Sequence, residues 1–231
     1  MKPLHRESYI TDLPLDLEHW LAAIEGLRGR KKGPEGLSAP ALVVLDLMAL
    51  FCDPSSPAFL PAFPAIKANI FRLADTLIAS GRPVLFTRHA HPEGDEGGLV
   101  KKMYSRLQRA DDPLNGLIEE AQRRIPPAAE VIKDRHSPLT MDSAVSFFRG
   151  CDSLLIAGVQ TQACVTATAI DCSRCGLVPV VVADACASLN ERLHLSALEV
   201  LASGHAYVLG TDEVLALLSM GKDAKTEGGG V

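Results

Sequence analysis

The stretch Leu154-Leu155-Ile156-Ala157-Gly158-Val159-Gln160-Thr161-Gln162-Ala163-Cys164-Val165 decides how this chain folds. Its apolar opening suits a strand buried on both faces of a parallel sheet. A glycine turn follows, and a helical pattern begins near Thr161, a residue type suited to cap a helix. Cys164 then falls in the first helical turn, where the helix dipole and free N–H groups favour a thiolate over a thiol. The bland alternative is a free cysteine acting as a small buried hydrophobe.

Outward from this stretch the same alternation recurs. Apolar runs rich in Val, Ile and Leu lie at Ala41–Leu47, Pro83–Thr87, Glu130–Lys133, Ser153–Ala157, Val178–Ala183 and His205–Leu209. Helical patterns lie between them at Pro64–Ser80, Thr161–Gly176, Asn190–Gly204 and Thr211–Ser219, with Gly81, Gly176 and Gly204 where C-caps belong. Strands alternating with helices predict an α/β fold: a doubly wound, mostly parallel six-stranded sheet with helices on both faces. No repeat of 20–50 residues is visible. Residues 1–40 are expected to form an N-terminal helical extension (Leu15–Leu27) and a basic linker (Gly26–Gly36), residues 41–220 the main domain, and residues 221–231 a disordered tail. The polar stretch 89–116 is long enough to cover a site, with Arg88, Tyr104 and Arg106 available to set specificity.

Composition narrows the function classes. With 47% apolar and 22% charged residues in 231, the chain is an ordinary globular protein rather than a disordered or fibrous one. The net charge of −5 gives it no global attraction for phosphate backbones or anionic lipid, so neither nucleic acid nor a membrane is an expected partner. The longest apolar runs fall far short of the ~20 residues that span a bilayer. The N-terminus carries no continuous apolar segment of a secretory signal. Six cysteines in a chain of this length read as free thiols in a reducing, cytoplasmic setting.

In doubly wound sheets, ligands bind beyond the carboxyl ends of the strands. Two polar residues stand there besides Cys164. Asp46 sits at the end of the first apolar run, in ALVVLDLMALF, and a buried unpaired carboxylate costs several kcal/mol unless a cation or donors stand nearby. The alternative is an Asp capping the next turn. Lys133 ends the third run; a lone lysine there ordinarily faces solvent. Together the three supply a nucleophile, an acid/base group and a cation to hold both anionic forms.

These residues carry a resemblance. The chain resembles the isochorismatase-like cysteine hydrolase superfamily, which includes nicotinamidases and N-carbamoylsarcosine amidases, from about Ala41 to Leu218. The matching segments are VVLDLMALF, FTRHAHP, VIKDRHSPL, VVVADACAS and, most specifically, GVQTQACVTATAID. The resemblance implies Cys164 as nucleophile, Asp46 as general base and Lys133 as the third member linking them. It implies a cis peptide at Val159–Gln160, which turns the Gln160 amide toward that of Cys164 to form an oxyanion hole. The expected chemistry is hydrolysis of a small-molecule amide or related C–N bond through a thioester, without a cofactor. Phe51, Arg88, His89, His91 and Val159 are the expected pocket residues, and a dimer or tetramer the expected assembly. Alternatives are vinyl ether hydrolysis on the same fold, where the thiol is not required, and a non-catalytic binding protein.

The chain also departs from the superfamily. Met48 and Ala49 stand where two amide side chains are usual, and His89-Ala90-His91 stands where nicotinamidases carry an Asp-x-His metal motif. No metal is therefore expected, although the two histidines with Glu93 or Asp95 could approach a cation. Cys172-Ser173-Arg174-Cys175 lies near a helix end that disfavours thiolates, and reads as packing. His194 reads as a packing histidine; His136 and Ser137 follow Lys133 closely enough to reach the pocket. Neither a Gly-rich dinucleotide turn nor a phosphate-binding loop occurs.

Overall fold

A computed structural model describes residues 9–28, 34, 37–103 and 107–226. The chain runs through α1 (Leu13–Ala23), α2 (Glu25–Arg28), β1 (Pro40–Leu45), α3 (Ala49–Cys52), α4 (Phe63–Ala79) and β2 (Val84–His89). It continues through α5 (Gly98–Met103), α6 (Glu119–Gln122), β3 (Ala129–Lys133), α7 (Asp142–Phe147), β4 (Ser153–Val159) and α8 (Thr166–Asp171). The last elements are β5 (Val178–Ala187), α9 (Glu191–Val200), β6 (Tyr207–Leu209) and α10 (Thr211–Thr226).

The six apolar runs are the six strands, and every neighbouring pair is parallel, in the order β3-β2-β1-β4-β5-β6. β1 and β4 occupy the centre and are buried at every position, which is why their sequences are continuously apolar rather than alternating. α4 lays Phe63, Ile66, Ile70, Leu73 and Leu77 on the sheet at helical spacing, and Gly81 beyond its end takes the left-handed conformation, φ 65°.

The strand order fixes where a ligand can sit. From β1 the chain winds outward through β2 to β3, then returns to the other side of β1 and winds through β4 to β6. The switch point lies between the carboxyl ends of β1 and β4, where a crevice forms between diverging connections. Gly158 brings these two strands together there. Its φ is 108°, and a Cβ on it would stand 2.2 Å from the Leu45 carbonyl oxygen, so only glycine fits.

Several expected boundaries differ. The N-terminal helix breaks at Ile24 into α1 and α2, and it packs into the main core, with Trp20 and Ile24 fully buried. The single helix expected over Thr161–Gly176 is a π-turn (Thr161–Val165), then α8, then a 3-10 turn (Cys172–Cys175). Gly204 lies inside a π-turn (Leu201–His205) rather than at a cap, whereas the Asn190 side chain does cap α9 by accepting from the Leu193 amide. α10 continues through Gly221 to Thr226, correcting the start of the expected tail, because one glycine costs a helix only about 1 kcal/mol. Tyr104, Arg106, residues 227–231 and part of the 26–36 linker lie outside the described residues. Among the described residues no helix is long and apolar enough to cross a membrane.

Candidate active site

Asp46 leaves β1 in the left-handed conformation, φ 58°, which aspartate tolerates better than most residues. Its amide donates to the Thr87 carbonyl on β2 (3.0 Å), and its Oδ1 accepts from the Thr87 hydroxyl (2.8 Å). Lys133, the last residue of β3, reaches across the end of β2 to place Nζ 2.9 Å from Asp46 Oδ2. The two side chains are 0% and 1% exposed, so the ion pair is wholly interior. Cys164, on the π-turn after β4, places Sγ 3.4 Å from the same ammonium. Three residues spread over more than a hundred positions thus meet at the switch point.

Lys133 Nζ also faces the Arg135 carbonyl (3.2 Å) and His89 Nδ1 (3.5 Å). Burial alone would push the ammonium's pKa down; the Asp46 carboxylate and the Cys164 sulfur outweigh it, and the net shift is upward. The lysine is a fixed cation. The thiol behaves differently from the expectation at the helix start. Burial and the Asp46 charge push Cys164 up to about 12 despite the Lys133 charge. Burial dominates, so the free protein holds a thiol whose proton a base must take.

The expected pocket residues divide. His89 is on the same face of β2 as Thr87, as the two-residue strand period requires, and it touches Lys133. Burial pushes His89 down to about 4, so it is neutral. His91 is fully buried behind it, its Nε2 3.4 Å from His89 Nε2 and its Nδ1 2.7 Å from Asp95 Oδ2. Arg88 points to the opposite face, pairing with Glu130 (2.7 Å) and the Ala110 carbonyl, and so is not in the site. Phe51, on α3, is half-buried against the core. Val159 is buried at the end of β4, and the Val159–Gln160 peptide is cis. His136, exposed on its outer side, stands with Nδ1 3.7 Å from the Cys164 sulfur.

Thr87 escaped the sequence reading, although a polar residue two positions before His89 in an apolar run was the available signal. Thr161 does not cap the helix: its hydroxyl meets His194 Nδ1 at 2.8 Å. Among the described residues no group of three or more His, Cys, Asp or Glu side chains is arranged to hold a metal ion, and the His89–His91–Asp95 set is occupied with its own hydrogen bonds. All six cysteines are free; Cys172 and Cys175 face no third ligand.

Comparison with known proteins bears on the fold and the family. A cysteine hydrolase from Pseudomonas syringae pv. phaseolicola superposes with a TM-score of 0.75 over 82% of this chain and 97% of its own, at 20% identity, which shows a shared fold. Nicotinamidase 3 of Arabidopsis thaliana is 26% identical across 80% of this chain and 91% of its own length. Phenazine biosynthesis protein PhzD1 of Pseudomonas aeruginosa is 30% identical across 75% and 84%. The isochorismatase domain matches residues 40–213, from the first residue of β1 into α10. The chain therefore belongs to the isochorismatase family of hydrolases.

Proposed function

We propose that this hydrolase cleaves a small-molecule amide or related C–N bond through a thioester on Cys164. The observation that carries the reading is the Lys133 ammonium in contact with both the Asp46 carboxylate (2.9 Å) and the Cys164 sulfur (3.4 Å). Asp46 takes the thiol proton as the sulfur attacks the carbonyl carbon, and Lys133 compensates the charge on either partner. Because burial holds the thiol up at about 12, deprotonation is coupled to attack rather than preceding it. The tetrahedral oxyanion is held by the amides of Gln160 and Cys164. Asp46 returns its proton to the leaving amine, then activates the water that hydrolyses the thioester. The scheme uses no cofactor.

Vinyl ether hydrolysis is the second reading. A thiol, carboxylate and ammonium in mutual contact favour the first, since that chemistry has no use for the sulfur. The test is ammonia release from a panel of nicotinamide, ureides and small carboxamides, with Cys164→Ala beside the native chain. Turnover that vanishes with the sulfur supports the thioester route; full turnover in Cys164→Ala overturns it. The substrate is a small molecule in this reading, and the active form a dimer or tetramer, measured by light scattering.

A further inference from the structure

Residues 9–28 precede the segment that the isochorismatase domain matches, yet they pack against the back of the catalytic turn. Two threads of contacts lead from them to Gln160 and Thr161. In the first, the Tyr9 hydroxyl accepts from the Ser188 amide (2.9 Å), the Ser188 hydroxyl donates to Gln162 Oε1, and Gln162 Nε2 donates to Gln160 Oε1 (2.6 Å). In the second, the Trp20 ring meets the His194 ring edge-on at 4.5 Å, and His194 Nδ1 meets the Thr161 hydroxyl at 2.8 Å. Trp20 is itself fixed by its indole N–H, 3.1 Å from Glu191 Oε1 on α9.

His194 is the odd group in this arrangement. It is fully buried, and its Nε2 has no hydrogen-bond partner among the described residues. Tyr9 and Trp20 flank the ring, with centroids 5.9 and 4.5 Å away. Aromatic faces are negative, so among them the nitrogen is better off bearing its hydrogen than presenting a lone pair. That places the proton on Nε2 and leaves Nδ1 to accept from Thr161. Burial pushes His194 down to about 3, so the ring stays neutral and takes no part as an acid or base. Its remaining use is to hold Thr161 in one orientation.

We infer that Tyr9, Trp20 and His194 are positioning residues which, through Ser188–Gln162 and Thr161, hold the Gln160 amide where it stabilises the oxyanion. The inference rests on the proposed thioester chemistry and adds the N-terminal segment to the machinery. The segment touches no substrate; it stiffens the turn that does.

Two reagents separate this role from general support of the fold. Acetylation of Cys164 by p-nitrophenyl acetate passes through a tetrahedral oxyanion: the S–C bond forms, the thiol proton goes to Asp46, and p-nitrophenolate leaves as the C–O bond breaks. Alkylation by iodoacetamide is a displacement at saturated carbon with no oxyanion. Both rates are measured on the full chain at Cys164 by peptide mass, for the native chain, His194→Phe, His194→Asn and Tyr9→Phe. Removing an oxyanion donor costs roughly 10²–10³ in rate, and misplacing one costs less, so the acylation-to-alkylation ratio falls about tenfold in His194→Phe. His194→Asn, whose side-chain amide reproduces a partner at the Nδ1 position, keeps most of the ratio. If His194→Phe does not fold, Tyr9→Phe, which deletes one hydroxyl, carries the test with a smaller drop. An unchanged ratio in the folded variants overturns the inference alone; a native chain that is never acetylated at Cys164 overturns the thioester reading beneath it.

Discussion

Replacing Lys133 by methionine tests the centre of the site directly. The native ammonium lies 2.9 Å from Asp46 Oδ2 with both side chains shut off from water. Methionine fills similar volume but takes away the cation, leaving the carboxylate with neutral donors, the Thr87 hydroxyl at 2.8 Å and the Cys164 thiol. Breaking a buried pair by deleting one partner costs about 3–5 kcal/mol, a large part of the roughly 5–15 kcal/mol that holds a domain together. With a urea slope of about 1–3 kcal/mol/M, the unfolding midpoint drops by more than about 1 M. The double variant Lys133→Met with Asp46→Leu recovers much of this, because an apolar pair no longer strands a charge. The pH dependence adds a check. In the native chain the Lys133 pKa is raised, so its stabilisation is present throughout the neutral range, below the ordinary lysine value, and is lost only as pH rises through the raised value. A loss below about 1 kcal/mol, the scale of a solvent-exposed pair, refutes the buried ion pair.

Three further outcomes follow from the same geometry. Iodoacetamide labels half-exposed Cys175 before Cys164 at neutral pH, because burial raises the Cys164 thiol to about 12; the Cys164 rate climbs with pH through the alkaline range, and a plateau near neutrality contradicts the assignment. Stability falls in acid, since His89 and His194 have lowered pKa values of about 4 and 3: the stabilisation is present above the unfolded value of 6.5 and is lost as pH drops below it. Each histidine costs on the order of 2 kcal/mol by pH 5, read as a falling urea midpoint, and His194→Phe removes its share of that slope. Gly158→Ala drives a Cβ to 2.2 Å from the Leu45 carbonyl at a φ of 108°, a loss on the order of 3 kcal/mol or more in urea unfolding; a change under about 1 kcal/mol shows that the two strands can separate there.

Much of this arrangement was legible before the coordinates. The six strands announced themselves because central parallel strands bury both faces, and continuous Val, Ile and Leu runs have few other uses. Asp46, Lys133 and Cys164 stood out as polar residues where those runs end. What the chain did not disclose depends on distance and solvent. The thiol expected to be acidic at a helix start is the reverse, because burial and the Asp46 charge raise it, and both are properties of the folded surroundings. Arg88 and His89 are adjacent in sequence, yet only His89 meets the lysine, since strand neighbours point to opposite faces. The N-terminal helix looked like an appendage because amphipathic spacing shows that a face is buried, not what covers it.

The order of the strands also bears on how the protein comes into being. A ribosome releases Asp46 and Lys133 with the three strands of one half-sheet, well before Cys164 emerges with the other. Until then the growing chain has the carboxylate and the amine of the site but not its sulfur. The catalytic centre is therefore completed only when the later half of the sheet closes against the earlier one.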